Sequence, residues 1–250
     1  MPRFREHKTR LAGLLGGADW KTRLETEITD AASARAALNP LLALLSRPEA
    51  RWQAAHGLGL AVPLIAEDSL ESARVVMRRL MWSLNEESGN LGWGVPEAMA
   101  CILAGSPALS GEYARIFISY GYETGKDDNF LDHGPLRQGV YWGVGRIAQT
   151  APLAALPALP HLISALADED RPIRGMAVWA LAELAAHTPE ASSVPEDWRE
   201  AASALDRARQ AETDQALEDQ IELFDGQAIV SPALKDLYRQ AQAAVANRTE

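Results

Sequence analysis

The stretch PHLISALADEDRPIRGMAVWALAEL, residues 160–184, decides the fold. Its apolar residues fall at helical spacing on both sides of a short polar turn, so it reads as two helices joined by that turn. Asp168 and Asp170 offer capping oxygens to the second helix, Pro172 lies in its first turn, and Thr188-Pro189 closes it. The second helix is built from small and aliphatic residues, which lets a neighbouring helix come close.

Three upstream segments align with this second helix: RWQAAHGLGLA from Arg51, GWGVPEAMACI from Gly92 and RQGVYWGVGRI from Arg137, against RGMAVWALAEL from Arg174. In this register His56, Glu97, Trp142 and Trp179 are equivalent. So are Gly57, Ala98, Gly143 and Ala180, and likewise Gly59, Ala100, Gly145 and Ala182. An interval of roughly 40 residues belongs to two-helix repeats. One pair alone cannot bury its apolar face, so the pairs must stack. Each second helix has a first helix before it. Asp30 caps the one that Pro40 kinks, Ser69 or Asp68 caps the one running to Leu84, Ser110 starts the third, and Pro157 and Pro160 bend the fourth.

With its proline-kinked first helix, its turn aspartate (Asp168 or Asp170) and Arg174 early in the second helix, the 160–184 stretch resembles a HEAT repeat. NFLDHGPLRQGVYWGVGRIA from Asn129 repeats the pattern with Asp132 and Arg137. The two earlier repeats depart from it: the first has Glu49 and Arg51 but no turn aspartate, and the second has Gly92 where the arginine belongs. The resemblance covers roughly residues 30–189 and implies an all-α fold, a right-handed α-α superhelix of the HEAT-like, armadillo-type solenoid class.

Residues 1–29 then read as N-terminal capping helices, 190–220 as an acidic helical or mobile segment, and 221–250 as a hairpin plus a C-terminal helix. The hairpin rests on Ile221, Leu223 and Ile229 around Asp225-Gly226, and Ser231-Pro232 supplies an N-cap and first residue for the last helix. It either covers the open end of the solenoid or docks another chain. Covering is favoured, because terminal repeats need a polar outer face.

Composition sets further bounds. Of 250 residues 47% are hydrophobic and 23% charged, as in ordinary globular chains. A single cysteine, Cys101, forbids an intramolecular disulfide and fits a reducing compartment. No run is long enough to span a membrane and MPRFREHKTR lacks the apolar core of a signal peptide, so the expected localisation is cytoplasmic with no membrane partner. The net charge of −10 disfavours nucleic acid as a partner. Much of it comes from residues 190–225, with 11 acids and 3 bases.

In solenoids of this kind the second helices line the concave face, so His56, Glu97, Trp142 and Trp179 are expected to form a row there. The competing reading makes the tryptophans packing residues and His56 a structural histidine. A polar loop inside Trp82–Ala100 adds Asn85, Glu86, Glu87 and Trp93 beside Glu97. A second loop adds Asp127, Asp128 and His133, while Asp132 is the turn aspartate of its repeat. Glu86, Glu87 and Glu97 do not match the acidic calcium loop, so no metal and no cofactor is expected. No histidine is followed by glutamate, which removes the iron site that a resemblance to deoxyhypusine hydroxylases implies. No catalytic triad, nucleotide loop or zinc spacing is present, and no catalytic residue is assigned.

The expected function is therefore non-catalytic binding: a scaffold or adaptor that holds a protein or peptide segment, or a small ligand, through Asn85, Glu87, Trp93, Glu97, His56, His133, Trp142 and Trp179. The alternative is an enzyme resembling the HEAT-like alkylpurine DNA glycosylases. It rests on Trp142 and Trp179 beside Arg137, Arg146, Arg171 and Arg174, and it requires a positive groove along those tryptophans.

Overall fold

The computed structural model of the chain describes residues 2–85, 92–125, 129–192 and 195–249. It is all-α apart from one two-stranded hairpin, and the chain divides into two compact units, Met1–Leu109 and Ser110–Glu250.

In the first unit α1 (Pro2–Leu15) and α2 (Trp20–Glu27) precede two helix pairs, α3 (Ala31–Leu42) with α4 (Arg51–Asp68), and α5 (Leu70–Leu84) with α6 (Val95–Gly105). The second helices α4 and α6 pack along each other, with α3 and α5 against α4. Local chemistry starts these helices where expected. Asp30 accepts the Ser33 amide at 2.8 Å while Ser33 Oγ accepts the Asp30 amide at 3.1 Å, a reciprocal cap that satisfies two orphan donors. Ser69 Oγ accepts the Ser72 amide at 3.3 Å at the head of α5.

The second unit contains most of α7 (Pro107–Ser119), then α8 (Gly134–Ala148), the short α9 (Pro152–Ala155), α10 (Leu159–Ala165), α11 (Arg171–His187), α12 (Pro195–Ala211), the one-turn α13 (Asp214–Leu217) and α14 (Leu234–Ala246). Pro157 lies in the 3-10 turn that bends the chain between α9 and α10. The second helix α8 packs on α11, and α11 packs on α14. With α12 against α14, the C-terminal part continues the stack as one more helix pair, its first helix buried through Trp198, Ala201, Ala204 and Leu205.

Close approach of the second helices explains the small residues of the repeat register. A Cβ on Gly59 would stand 2.7 Å from Cys101 Cβ, and one on Gly145 would stand 2.4 Å from the Trp179 ring. Neither position admits a side chain without moving a helix.

The hairpin fills the gap between α13 and α14. β1 (Leu223–Phe224) pairs antiparallel with β2 (Ile229–Val230), and Asp225 Oδ1 accepts the amides of Gln227 and Ala228 at 2.8 and 2.7 Å, closing the turn over Gly226 at φ 97°. Leu223 and Phe224 are buried, and Ile221 rests on Gly175 of α11. The last helix does not start at Ser231-Pro232. Pro232 O accepts the Ile221 amide at 2.9 Å, which holds that residue in the ladder and moves the N-cap to Ala233.

Arginines at one register position lock the turns of the second unit. Arg137 Nη1 donates to the carbonyl oxygens of Leu131 and Asp132 (2.9 and 3.1 Å), and its Nη2 lies 3.5 Å from the Asp168 carboxylate in the next turn. Arg174 repeats this one helix pair later: Nη1 donates to Asp168 O and Glu169 O (2.7 and 3.1 Å), and Nη2 meets Glu212 at 2.6 Å. Asp132 thus contributes its carbonyl to Arg137. Among the described residues no helix is long and apolar enough to cross a membrane.

Gly145→Ala is expected to lower stability by about 1–3 kcal/mol in urea unfolding, through overpacking. Gly111→Ala, on α7 with nothing within 4 Å of the new Cβ, should raise it by about 0.5–1 kcal/mol. Arg174→Ala should cost about 3 kcal/mol, because it leaves Glu212, whose side chain is 4% exposed, with only Arg171 Nε at 3.7 Å and frees the turn carbonyls of Asp168 and Glu169; Glu212→Gln in that background should recover part of the loss.

Candidate functional site

Trp93 stands between two glycines, and the reason is steric. A Cβ on Gly92 would lie 2.9 Å from Ser83 O at the end of α5, and one on Gly94 would lie 2.8 Å from Leu45 O and 3.0 Å from Arg51 Cγ. Gly94 also needs its positive φ of 73° to start α6, a conformation that glycine adopts at little cost. The Gly-Trp-Gly segment therefore threads a narrow gap, with the half-buried Trp93 held at its centre.

Two openings meet at Trp93. One is a groove of about 480 Å³ between the ends of α3 and α5, lined by Asn39, Leu42, Arg79, Ser83 and Trp93 among others. The other is a smaller cavity of about 170 Å³ lined by Leu45, Ser46, Pro48, Arg51 and Trp93. Arg79 donates to Asn39 Oδ1 at 2.8 Å on the groove wall. Trp82, next to Ser83 on α5, is 72% exposed, the most open large apolar side chain among the described residues. The described lining of both openings holds two arginines and no carboxylate.

Glu97 lies in the first turn of α6 and is buried. Its Oε1 is 3.7 Å from Arg51 Nε, too far for a hydrogen bond, and its Oε2 has no hydrogen-bond partner. Burial pushes its carboxyl above the ordinary glutamate range; the Arg51 charge and its own backbone amide oppose this without cancelling it.

The expected concave row does not form as an open surface. His56 is buried in α4 with its ring edge-on to Trp20 at 5.3 Å. Trp142 is fully buried, donates Nε1 to Phe224 O at 2.9 Å, and lies parallel to Trp179 with ring centroids 6.1 Å apart. Glycine and alanine draw the second helices so close that their facing side chains are enclosed. His133 is the half-buried N-cap residue of α8, with its carbonyl accepting the amides of Leu136 and Arg137. Asn85 is the exposed C-cap of α5. Glu86, Glu87, Asp127 and Asp128 lie outside the described residues.

The same packing removes the groove that the glycosylase alternative needs. Trp142 and Trp179 offer no open face, Arg137 and Arg174 are bound to carboxylates, and Arg171 pairs with Asp219. The second unit has openings elsewhere. One of about 540 Å³ is walled by Phe130, Arg137, Tyr141 and the stacked pair Tyr122–His161, where burial holds the His161 imidazole below its ordinary range. Another of about 510 Å³ lies between α10 and α12, with Ile163, Leu166, Arg207 and Ala208 on its walls. Among the described residues no cluster of three or more His, Cys, Asp and Glu side chains is placed to hold a metal ion.

Sequence reasoning overlooked Arg79 and gave Arg51 no role beyond its register. A signal existed for Arg79, since Val75, Val76, Trp82 and Ser83 leave it without an acid at helical pairing distance.

Stacked helix pairs joined by arginine-locked turns define an α-helical repeat protein. Residues 134–184, which include all of α8 to α10 and most of α11, match the family model described as HEAT-like repeat. An engineered protein solved by the Northeast Structural Genomics Consortium is similar at 16% identity and a TM-score of 0.50, with 97% of each chain covered. A second engineered protein from that consortium aligns at 17% identity over 96% of this chain and 98% of its own, with a TM-score of 0.45. Comparison with curated proteins gave no match.

Because the folded pKa of Glu97 is raised, the fold favours its protonated form. That contribution is present below the ordinary glutamate pKa of 4.5 and is lost as pH rises through the folded value. Glu97→Gln is therefore expected to raise Tm at neutral pH and to lose this advantage below the ordinary glutamate pKa, in melting curves recorded across pH.

Proposed function

We propose that the protein is a non-catalytic scaffold that holds a peptide or protein segment in the groove bounded by α3, α5 and Trp93. The observation that carries this reading is the Gly-Trp-Gly wedge, which fixes an aromatic wall between two openings whose described lining is basic. A rigid aromatic flanked by arginines is the composition of interface anchors. The exposed Trp82 beside Ser83 extends apolar surface out of the groove. The supporting fold is a helical repeat, a class that presents extended binding surfaces.

Charge supports the location. Residues 1–109 carry 12 bases and 12 acids, so the whole net charge of −10 belongs to the second unit. A segment approaching the first unit meets no long-range excess of its own sign from that unit.

The test is site-specific photocrosslinking in native extract with a benzophenone amino acid at Ser83. A discrete partner band is expected from Ser83, absent from the same label at the exposed Glu200 of α12 and weakened at least tenfold by Arg79→Ala. Bands of equal strength from both positions, or none from Ser83, contradict the reading.

A further inference from the structure

Arg51 occupies the register position of Arg137 and Arg174, but its surroundings differ. Those two arginines each reach two turn carbonyls and a carboxylate of the next turn. The turn before Arg51 is a 3-10 helix, Pro48–Ala50, and among the described residues Arg51 faces the acid Glu97 at 3.7 Å. Arg51 Nε is buried with no hydrogen-bond partner, and the facing Glu97 Oε2 is equally unmet. Among these three turn arginines, Arg51 is thus the one whose Nε is buried without a hydrogen-bond partner.

Its surroundings suit a planar anion. The guanidinium lies over the Trp52 ring at 5.4 Å, which occupies one face; with Nε buried, the two Nη groups are left as the donating end. The side chain is 27% exposed and lines the 170 Å³ cavity with Ser46, Pro48, Leu45 and Trp93. Leu45, Pro48 and Trp93 supply apolar walls for methylene groups, while Ser46 and Arg51 supply donors. Guanidinium edges recognise carboxylates through paired hydrogen bonds, and the cavity has room for one short acidic side chain.

We infer that this cavity is a carboxylate notch that takes an aspartate or glutamate side chain from the segment held in the adjoining groove. The source of the carboxylate rests on the peptide reading above; the chemistry of the notch rests on Arg51. The partner segment thus carries an acid next to the residue that packs on Trp93. Glu97 does not compete, because helix α6 holds it beyond hydrogen-bond distance of the guanidinium.

NMR titration of the 15N-labelled chain tests the inference, read at the Nε–Hε signals of Arg51, Arg137 and Arg174. The probes are N-acetyl-glutamate amide, its glutamine isostere and sodium acetate. The glutamate probe should move the Arg51 signal saturably, with Kd of about millimolar for so small a ligand, and leave Arg137 and Arg174 in place. The glutamine probe should move none of them. Arg51→Lys should weaken the glutamate probe about tenfold by removing the fork, whereas Glu97→Gln, which keeps the side-chain shape, should retain binding or tighten it. Loss of binding in Glu97→Gln, no response of Arg51 to glutamate, or a response to acetate alone overturns the proposal. A responding Arg51 without crosslinks from Ser83 removes the peptide groove and the partner as the source of the acid; crosslinks without a response remove the notch and leave the groove.

Discussion

An arginine at the start of a second helix, gripping the carbonyls of its own turn and the acid of the next, is the contact on which the stack of the second unit depends. Turn carbonyls next to a packed helix end are costly to bury unpaired, and a guanidinium can serve two of them while keeping an edge for a carboxylate. Arg137 does this toward Asp168, and Arg174 toward Glu212. Each such residue ties one helix pair to the next, so pairs that cannot bury their own faces are held in register. Arg248 closes the series in another way, donating to Ala185 O at the end of α11 at 2.6 Å.

The first unit keeps the arginine in a different setting, with Arg51 Nε 3.7 Å from Glu97. Gly92 stands in place of an arginine, and among the described residues the acid that faces Arg51 is Glu97, inside helix α6. Openings border the register arginines in both units, but the described lining around Trp93 carries no carboxylate, whereas Asp168 lines both openings of the second unit. A departure from the repeat's own chemistry at one turn therefore coincides with the most basic cavity lining described in the protein. Close helix packing enforces this placement, since the enclosed second helices leave their turns as the free edge.

Much of the fold was legible because it rests on short-range rules. The reciprocal cap at Asp30, the serine cap at Ser69, the bend at Pro157 and the Asp225-Gly226 turn all sit where neighbouring residues dictate. The register of Gly59 and Gly145 also announced that helices meet closely there. The site was less legible. Trp93 and Glu97 were singled out from the interrupted pattern, but the tryptophans Trp142 and Trp179 were placed on a surface that the packing closes. Periodicity tells which residues share a face and says nothing of what covers it.

Helical periodicity, capping residues and the small-residue register are properties of the chain itself, and they were enough to define an all-α stack of helix pairs, because each acts over a few residues. Whether an equivalent position becomes a wall, a wedge or an opening depends on atoms brought from far along the sequence. Phe224 reaches Trp142 across 82 residues, and Leu45 and Arg51 close around Gly94. Those distances decide that Trp142 is core and that Trp93 lines two openings, though both are tryptophans beside a glycine at a repeat junction. Tertiary packing assigns the role, since burial is set by neighbours in space.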